Sequence, residues 1–153
     1  MAEPTIVGRK SVAVRFPLDR SKLAELARAF HDDDSAWYDE AASSAAGFDG
    51  VPVPPTVGVL ADHWRKDGAL AFATIAGLDI ERVLHGEVTW EYLQPLRMGD
   101  ELTATSTVSD LTTRDGKRGG AMTLATVETD FVNRRGELAM RRRDVLIERG
   151  SEA

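Results

Sequence analysis

The feature that most constrains this chain is a change of hydrophobic period part-way along it. From Val83 onward, apolar and β-branched residues alternate with polar ones, most densely in Val88–Tyr92, Leu102–Val108, Ala121–Val132 and Val145–Ile147. A period of two puts one face of each segment in a core and the other in water, which is the pattern of half-buried strands. The connections at 96–100, 114–120 and 133–136 are short and rich in Gly, Asp and Arg, as turns are. This half of the chain therefore predicts an antiparallel sheet, with no alternation of strand and helix.

The first half reads differently. Val12–Phe16 alternates and predicts one further strand. Asp19–Phe30 follows, with Leu23, Leu26, Ala27 and Phe30 on one helical stripe and Asp19 or Ser21 as its cap. After the acidic run His31-Asp32-Asp33-Asp34, a second helix is expected over Ser35–Ala46, stopped by Gly47. Residues 47–55 carry three prolines and two glycines and must be a shaped loop. Pro55 then suits the first turn of a helix reaching Lys66, with Val57, Leu60, Ala61 and Trp64 on one side and Gly68 as the stop. Helices first and strands later give the α+β class, a five-stranded antiparallel sheet around one apolar central helix. The core is expected to include Phe16, Leu23, Leu26, Phe30, Val57, Leu60, Val88, Trp90 and Tyr92.

At 153 residues the chain suits a single domain, 1–153, with no repeat or linker. The absence of cysteine excludes disulfide scaffolds, thiolate metal sites and cysteine nucleophiles. No apolar run approaches the roughly 18 residues of a membrane span, and Met1–Lys10 has no signal-like apolar stretch, so the expected compartment is the cytoplasm. A formal net charge of −6 argues against nucleic acid as a partner. The one basic cluster, Arg141-Arg142-Arg143, reads either as a phosphate contact or as a strand segment facing alternately in and out.

No nucleophile elbow, phosphate loop, zinc-binding helix or dinucleotide fingerprint is present. The three histidines are His31, His63 and His85, and histidine is the side chain ordinarily able to exchange protons near neutral pH. His63 is flanked by charged neighbours and reads as surface. His85 opens the strand-rich half in Leu84-His85-Gly86-Glu87. Gly86 permits a bulge or the close approach of a ligand. His85 and Glu87, two apart on a strand, are expected on one side, where they can share a hydrogen bond as an acid–base pair or a structural pair.

These residues carry a resemblance. The run from Asp32 to Asp39, then Ala46-Gly47-Phe48, Pro54-Pro55-Thr56, Leu84-His85-Gly86-Glu87, Pro95-Leu96 and Gly99-Asp100 resembles the MaoC-like dehydratase group, in its N-terminal FAS1-like dehydratase branch. Order and spacing agree from about Ile6 to Arg149. The resemblance implies a hotdog fold, an antiparallel sheet wrapped around a central α-helix, with two such units pairing. It implies hydration of enoyl thioesters, or dehydration of (R)-3-hydroxyacyl thioesters, carried on coenzyme A or acyl carrier protein, with no metal or redox cofactor. Active members carry Asp-x-Asn-Pro-x-His; on this chain its Asp falls on Asp32, its Asn on Asp34 and its His on Trp37. Tryptophan cannot exchange that proton. The stretch is similar to the non-catalytic subunits of mycobacterial (3R)-hydroxyacyl-ACP dehydratases, whose partner hotdog supplies the catalytic pair.

Three readings follow from the resemblance. The chain is a substrate-binding subunit that needs a MaoC-type partner; or a self-sufficient homodimer using His85 with Asp32 or Glu87; or a non-enzymatic acyl-thioester-binding hotdog in which Trp37, Trp64 and Trp90 are core aromatics. The expected substrate wall is Trp37, Tyr38, Phe48, Val53, Pro54, Thr56 and Gly86.

Overall fold

The period-two half of the chain forms β2 (Val83–Tyr92), β3 (Glu101–Asp115), β4 (Ala121–Asn133) and β5 (Leu138–Glu148), and β1 (Val14–Pro17) joins from the N-terminal side. The computed structural model describes residues 6–66, 68, 70–115 and 120–150; the expected turn at 114–120 lies mostly outside them. The strands form one antiparallel sheet in the order β1-β3-β4-β5-β2. Among the described residues, no helix is long and apolar enough to cross a membrane.

One connection differs from expectation. Residues 93–100 do not turn β2 back onto β3; they carry the chain away, and β2 pairs with β5 at the far edge from β1. The proline-rich loop holds this connection, through Met98 N–H donating to Val51 C=O at 2.8 Å and a bridge between Pro52 and Arg97. Asp100 closes its local turn by accepting from Arg97 N–H at 2.9 Å. A turn motif sets a change of direction, whereas the partner strand is set by the cross-chain contacts that follow.

The helical layer is more broken than the hydrophobic stripes predict. Helix α1 (Arg20–Ala29) is capped by Asp19, whose carboxylate accepts from Lys22 N–H at 3.0 Å. The expected helix at 35–46 is split into a 3-10 turn (Ser35–Trp37) and α2 (Glu40–Ala45). Asp34 and Asp39 each cap the segment that follows them, and a capping residue takes non-helical backbone angles, so the second cap interrupts the helix. The expected central helix at 55–66 is likewise a 3-10 turn (Val57–Val59) running into α3 (Leu60–His63). Val57, Gly58 and Val59 are poor helix formers, and the chain must leave the helix in time for Arg65 to enter the core. A further helix, α4 (Ala71–Thr74), is a short element that the periodicity did not announce.

The helices cover one face of the sheet. Phe16, Leu23, Val57, Ala61, Leu102, Phe131 and Met140 form one apolar cluster, and Ala73, Ala76, Val108, Val127 and Leu146 belong to a second. Trp90 is half-buried and packs with the first, its ring 6.4 Å from that of Phe131. Five other expected core residues fall short. Leu26 and Leu60 are half-buried, while Phe30, at the end of α1, is 53% exposed. Val88 and Tyr92 are each 43% exposed, because they lie on edge strand β2 where the helical layer stops short.

Candidate functional site

Between the two apolar clusters the inner face of the sheet carries a polar row. Ser106, Thr129 and Arg142 are cross-strand neighbours on β3, β4 and β5, and Trp90 stands beside Arg142 on β2. Arg142, like its inward neighbours Met140 and Asp144, is buried, whereas Arg141 and Arg143 face Asp130 and Glu128 on the other side. The basic cluster is therefore an alternating strand segment, with Arg142 turned inward and Arg141 and Arg143 outward.

The buried arginine organises a chain of charges. Its Nε donates to Asp144 Oδ2 and its Nη1 to Asp62 Oδ2, both at 2.8 Å. Its guanidinium carbon lies 5.0 Å from the ring centre of Phe72 and 5.6 Å from that of Trp90, within cation–π range. Asp62 also faces Arg65 at 3.5 Å, and Arg65 donates to Ser106 Oγ at 2.9 Å and Val12 C=O at 3.2 Å. Two guanidiniums balance two carboxylates, which is what lets these charges stay buried. Burial pushes the Asp144 carboxyl up from the usual carboxylate range, and Arg142 and His85 oppose that shift.

His85 is the exposed end of this chain. Its Nε2 stands 3.0 Å from Asp144 Oδ1; the imidazole is 48% exposed, and the carboxylate only 1%. The expected pairing with Glu87 does not form. A bulge lies between His85 and Glu87, where a Cβ on Gly86 would sit 2.8 Å from Ile147 Cδ1 and 3.2 Å from Val145 C=O. The extra residue shifts the alternation by one: His85 stays on the inner face, and Glu87 accepts from Thr89 at 3.3 Å on the outer.

The acidic loop has a structural task. Asp32 accepts from Asp34 N–H at 3.1 Å, Asp34 from Ala36 N–H at 2.9 Å and Asp39 from Ala42 N–H at 2.8 Å. Tyr38 Oη donates to Asp32 C=O at 3.1 Å, and Tyr38 C=O accepts from Arg20. Short polar side chains bonded to nearby backbone amides shape turns. Within this one chain no hydrogen bond joins Asp32 to His85 among the described residues, and His85 meets Asp144 instead. Sequence reading missed Asp144, Arg142, Asp62 and Arg65 as a set. Their signal was two charged residues in the inward phase of β5, between Met140 and Leu146.

The expected substrate wall is not gathered in one place by this chain. Val53 lines an apolar groove with Pro55, Tyr92, Leu93, Pro95 and Leu96 at the end of β2. Tyr38 lines another groove, beside Arg20, Ala24 and Arg28 of α1. Trp37 is half-buried, Phe48 and Thr56 are exposed, and Pro54 is buried with its C=O accepting from Val57 N–H at 2.9 Å. Gly86 forms the bulge.

Comparison with known proteins places this geometry. A family model described as "FAS1-like, dehydratase domain region" matches residues 5–142. A UPF0336 protein of Streptomyces griseus is 31% identical over 137 residues, covering 90% of this chain and 87% of its own length. The C-terminally truncated HadBC (3R-hydroxyacyl-ACP dehydratase) complex of Mycobacterium tuberculosis contains a chain that superposes with a TM-score of 0.70 at 23% identity, over 93% of this chain and 96% of that one. The (R)-hydratase of A. caviae involved in PHA biosynthesis superposes with a TM-score of 0.65 at 20% identity, over 92% of this chain and 94% of that one. At these identities the superpositions speak for the hotdog fold.

Proposed function

The chain belongs to the FAS1-like dehydratase domain family, within the MaoC-like hotdog group, and from that premise we propose that it is a subunit of an (R)-specific enoyl-thioester hydratase or 3-hydroxyacyl-thioester dehydratase. In this reading it binds an acyl thioester carried on coenzyme A or acyl carrier protein and works beside a second hotdog that provides the Asp/His pair. The carrying observation is the acidic loop: Asp32, Asp34 and Asp39 are each bound into backbone turns, and Trp37 stands where the proton-exchanging histidine of the family motif would be. Such a loop uses its carboxylates to hold its shape and carries no imidazole at position 37 to exchange the proton.

In this reading the second hotdog would pack along β2. This edge leaves His85, Val88 and Tyr92 part-exposed on the inner face, next to the apolar groove at Val53 and Leu93. An uncovered edge strand with apolar side chains invites pairing. The bound acyl chain would lie against that strip, and the reaction would use side chains with no resident cofactor. A second reading, a homodimer that does its own proton transfer, is favoured by the His85–Asp144 pair, since an imidazole held by a buried carboxylate is suited to such work.

The test is hydration of crotonyl-CoA, followed as loss of enoyl absorbance. A tagged chain recovered from its own host, with any bound subunit retained, is compared with the same chain purified alone and with His85→Ala. Turnover only with the bound subunit supports the first reading. Turnover by the chain alone, abolished in His85→Ala, selects the homodimer. Thioester binding without turnover in any preparation identifies a binding hotdog, and neither binding nor turnover overturns the thioester assignment.

A further inference from the structure

His85 is chemically set apart from the other two histidines. It is the one that ends a buried ion chain, and the atom facing its ring is a carboxylate oxygen. An ionised carboxylate can only accept, so a neutral imidazole bonded to it carries its proton on Nε2 and keeps the lone pair on Nδ1. Nδ1 has no hydrogen-bond partner among the described residues.

We propose that Asp144 is a positioning residue that fixes His85 with Nε2–H turned inward, so that Nδ1 accepts a hydrogen bond from the hydroxyl of a 3-hydroxyacyl thioester lying along β2. The inference rests on the thioester reading above and adds a recognition element to it.

Three observations carry it. Asp144 is held rigidly: its second oxygen takes Arg142 Nε at 2.8 Å, and Arg142 is in turn fixed by Asp62 at 2.8 Å. The acidic neighbours do not compete for the ring. The bulge turns Glu87 to the outer face, and Glu148 accepts from Arg82 at 2.7 Å and Asp79 N–H at 3.1 Å. The ring is also seated from the helical side, with Phe72 6.3 Å from it centre to centre, while about half of the imidazole stays open. A fixed acceptor at the open edge discriminates for a ligand hydroxyl, because the analogue lacking it leaves the acceptor unpaired.

The experiment has two arms. In the first, the chain carries 15N-labelled histidine, and two-bond 1H–15N correlations report which ring nitrogen holds the proton in the neutral form. His31 and His63, both exposed, serve as references in the same spectrum, and His85→Gln assigns the third set of signals. The expected result is a purer Nε2–H form for His85 than for the two references, relaxing toward them in Asp144→Asn. A His85 signal with the references' mixture, or with the proton on Nδ1, overturns the inference.

In the second arm, calorimetry compares (3R)-3-hydroxybutyryl-CoA with butyryl-CoA on the chain and any retained subunit. The expected preference for the hydroxylated thioester is about three- to tenfold, lost in both His85→Gln and Asp144→Asn. Equal binding of the two, or a preference that survives His85→Gln, overturns the inference and leaves the thioester reading standing. Binding of neither overturns the thioester reading, and the hydroxyl assignment falls with it.

Discussion

Two residues show how tightly the inner face is specified. A Cβ at Gly58 would lie 2.6 Å from Trp90 Cζ3, 2.7 Å from Met140 Cε and 3.0 Å from Phe131 Cζ, so the glycine is there to let the helical layer touch the sheet. Gly58→Ala is expected to cost about 1–3 kcal/mol as overpacking, read as a lower midpoint in urea unfolding with an unchanged slope. Arg142 is the opposite case, a charge kept inside by its partners. Removing it in Arg142→Ala leaves Asp144 and Asp62 facing each other across a gap, and a broken buried ion pair costs about 3–5 kcal/mol. The same denaturation measurement checks it; a change under about 1 kcal/mol would mean that water replaces the guanidinium without penalty. The sequence identified His85 as a chemical residue and missed its partner, because Glu87 is two positions away in the chain while Asp144 is reached only across the β2–β5 pairing.

At the scale of elements, the sequence marks ends better than interiors. Asp19, Gly47 and the aspartates of the acidic loop fall where the segments begin and stop, because caps and positive-φ glycines act through neighbouring backbone. Asp19→Ala is expected to cost about 1 kcal/mol through loss of the α1 cap, with a lowered thermal midpoint. The turn before β3 offers a pH test. Arg134 and then Arg15, bonded to Glu101, hold its carboxyl down at about 2 against an ordinary 4.5. A carboxyl whose folded value is depressed contributes stability above its ordinary value and loses it as pH falls toward the folded value. The thermal midpoint of the native chain should therefore drop between about pH 4.5 and about pH 2, and Glu101→Gln should lack that part of the drop.

For the whole molecule the sheet edge at β2 is the open question, and its exposed strip makes a prediction. Val88→Lys puts a charge where the proposed partner hotdog would pack, so the mass in sedimentation should fall to that of one chain while the strand signal in circular dichroism is kept. An unchanged mass above one chain would place the pairing elsewhere. The sequence by itself determined the class, the five strands, the shaped proline loop and the family, since these follow from period, turn chemistry and local motif order. It also carries tryptophan at position 37, the substitution on which the proposed subunit role rests. Only the tertiary structure decided that β2 sits beside β5, that the bulge at Gly86 parts His85 from Glu87, and that Asp144, Arg142, Asp62 and Arg65 join in one buried chain. The physical reason is distance along the chain. Hydrogen-bond period and capping act over a few residues, whereas the balance of buried charges is settled among side chains as much as 80 positions apart, as Arg142 and Asp62 are.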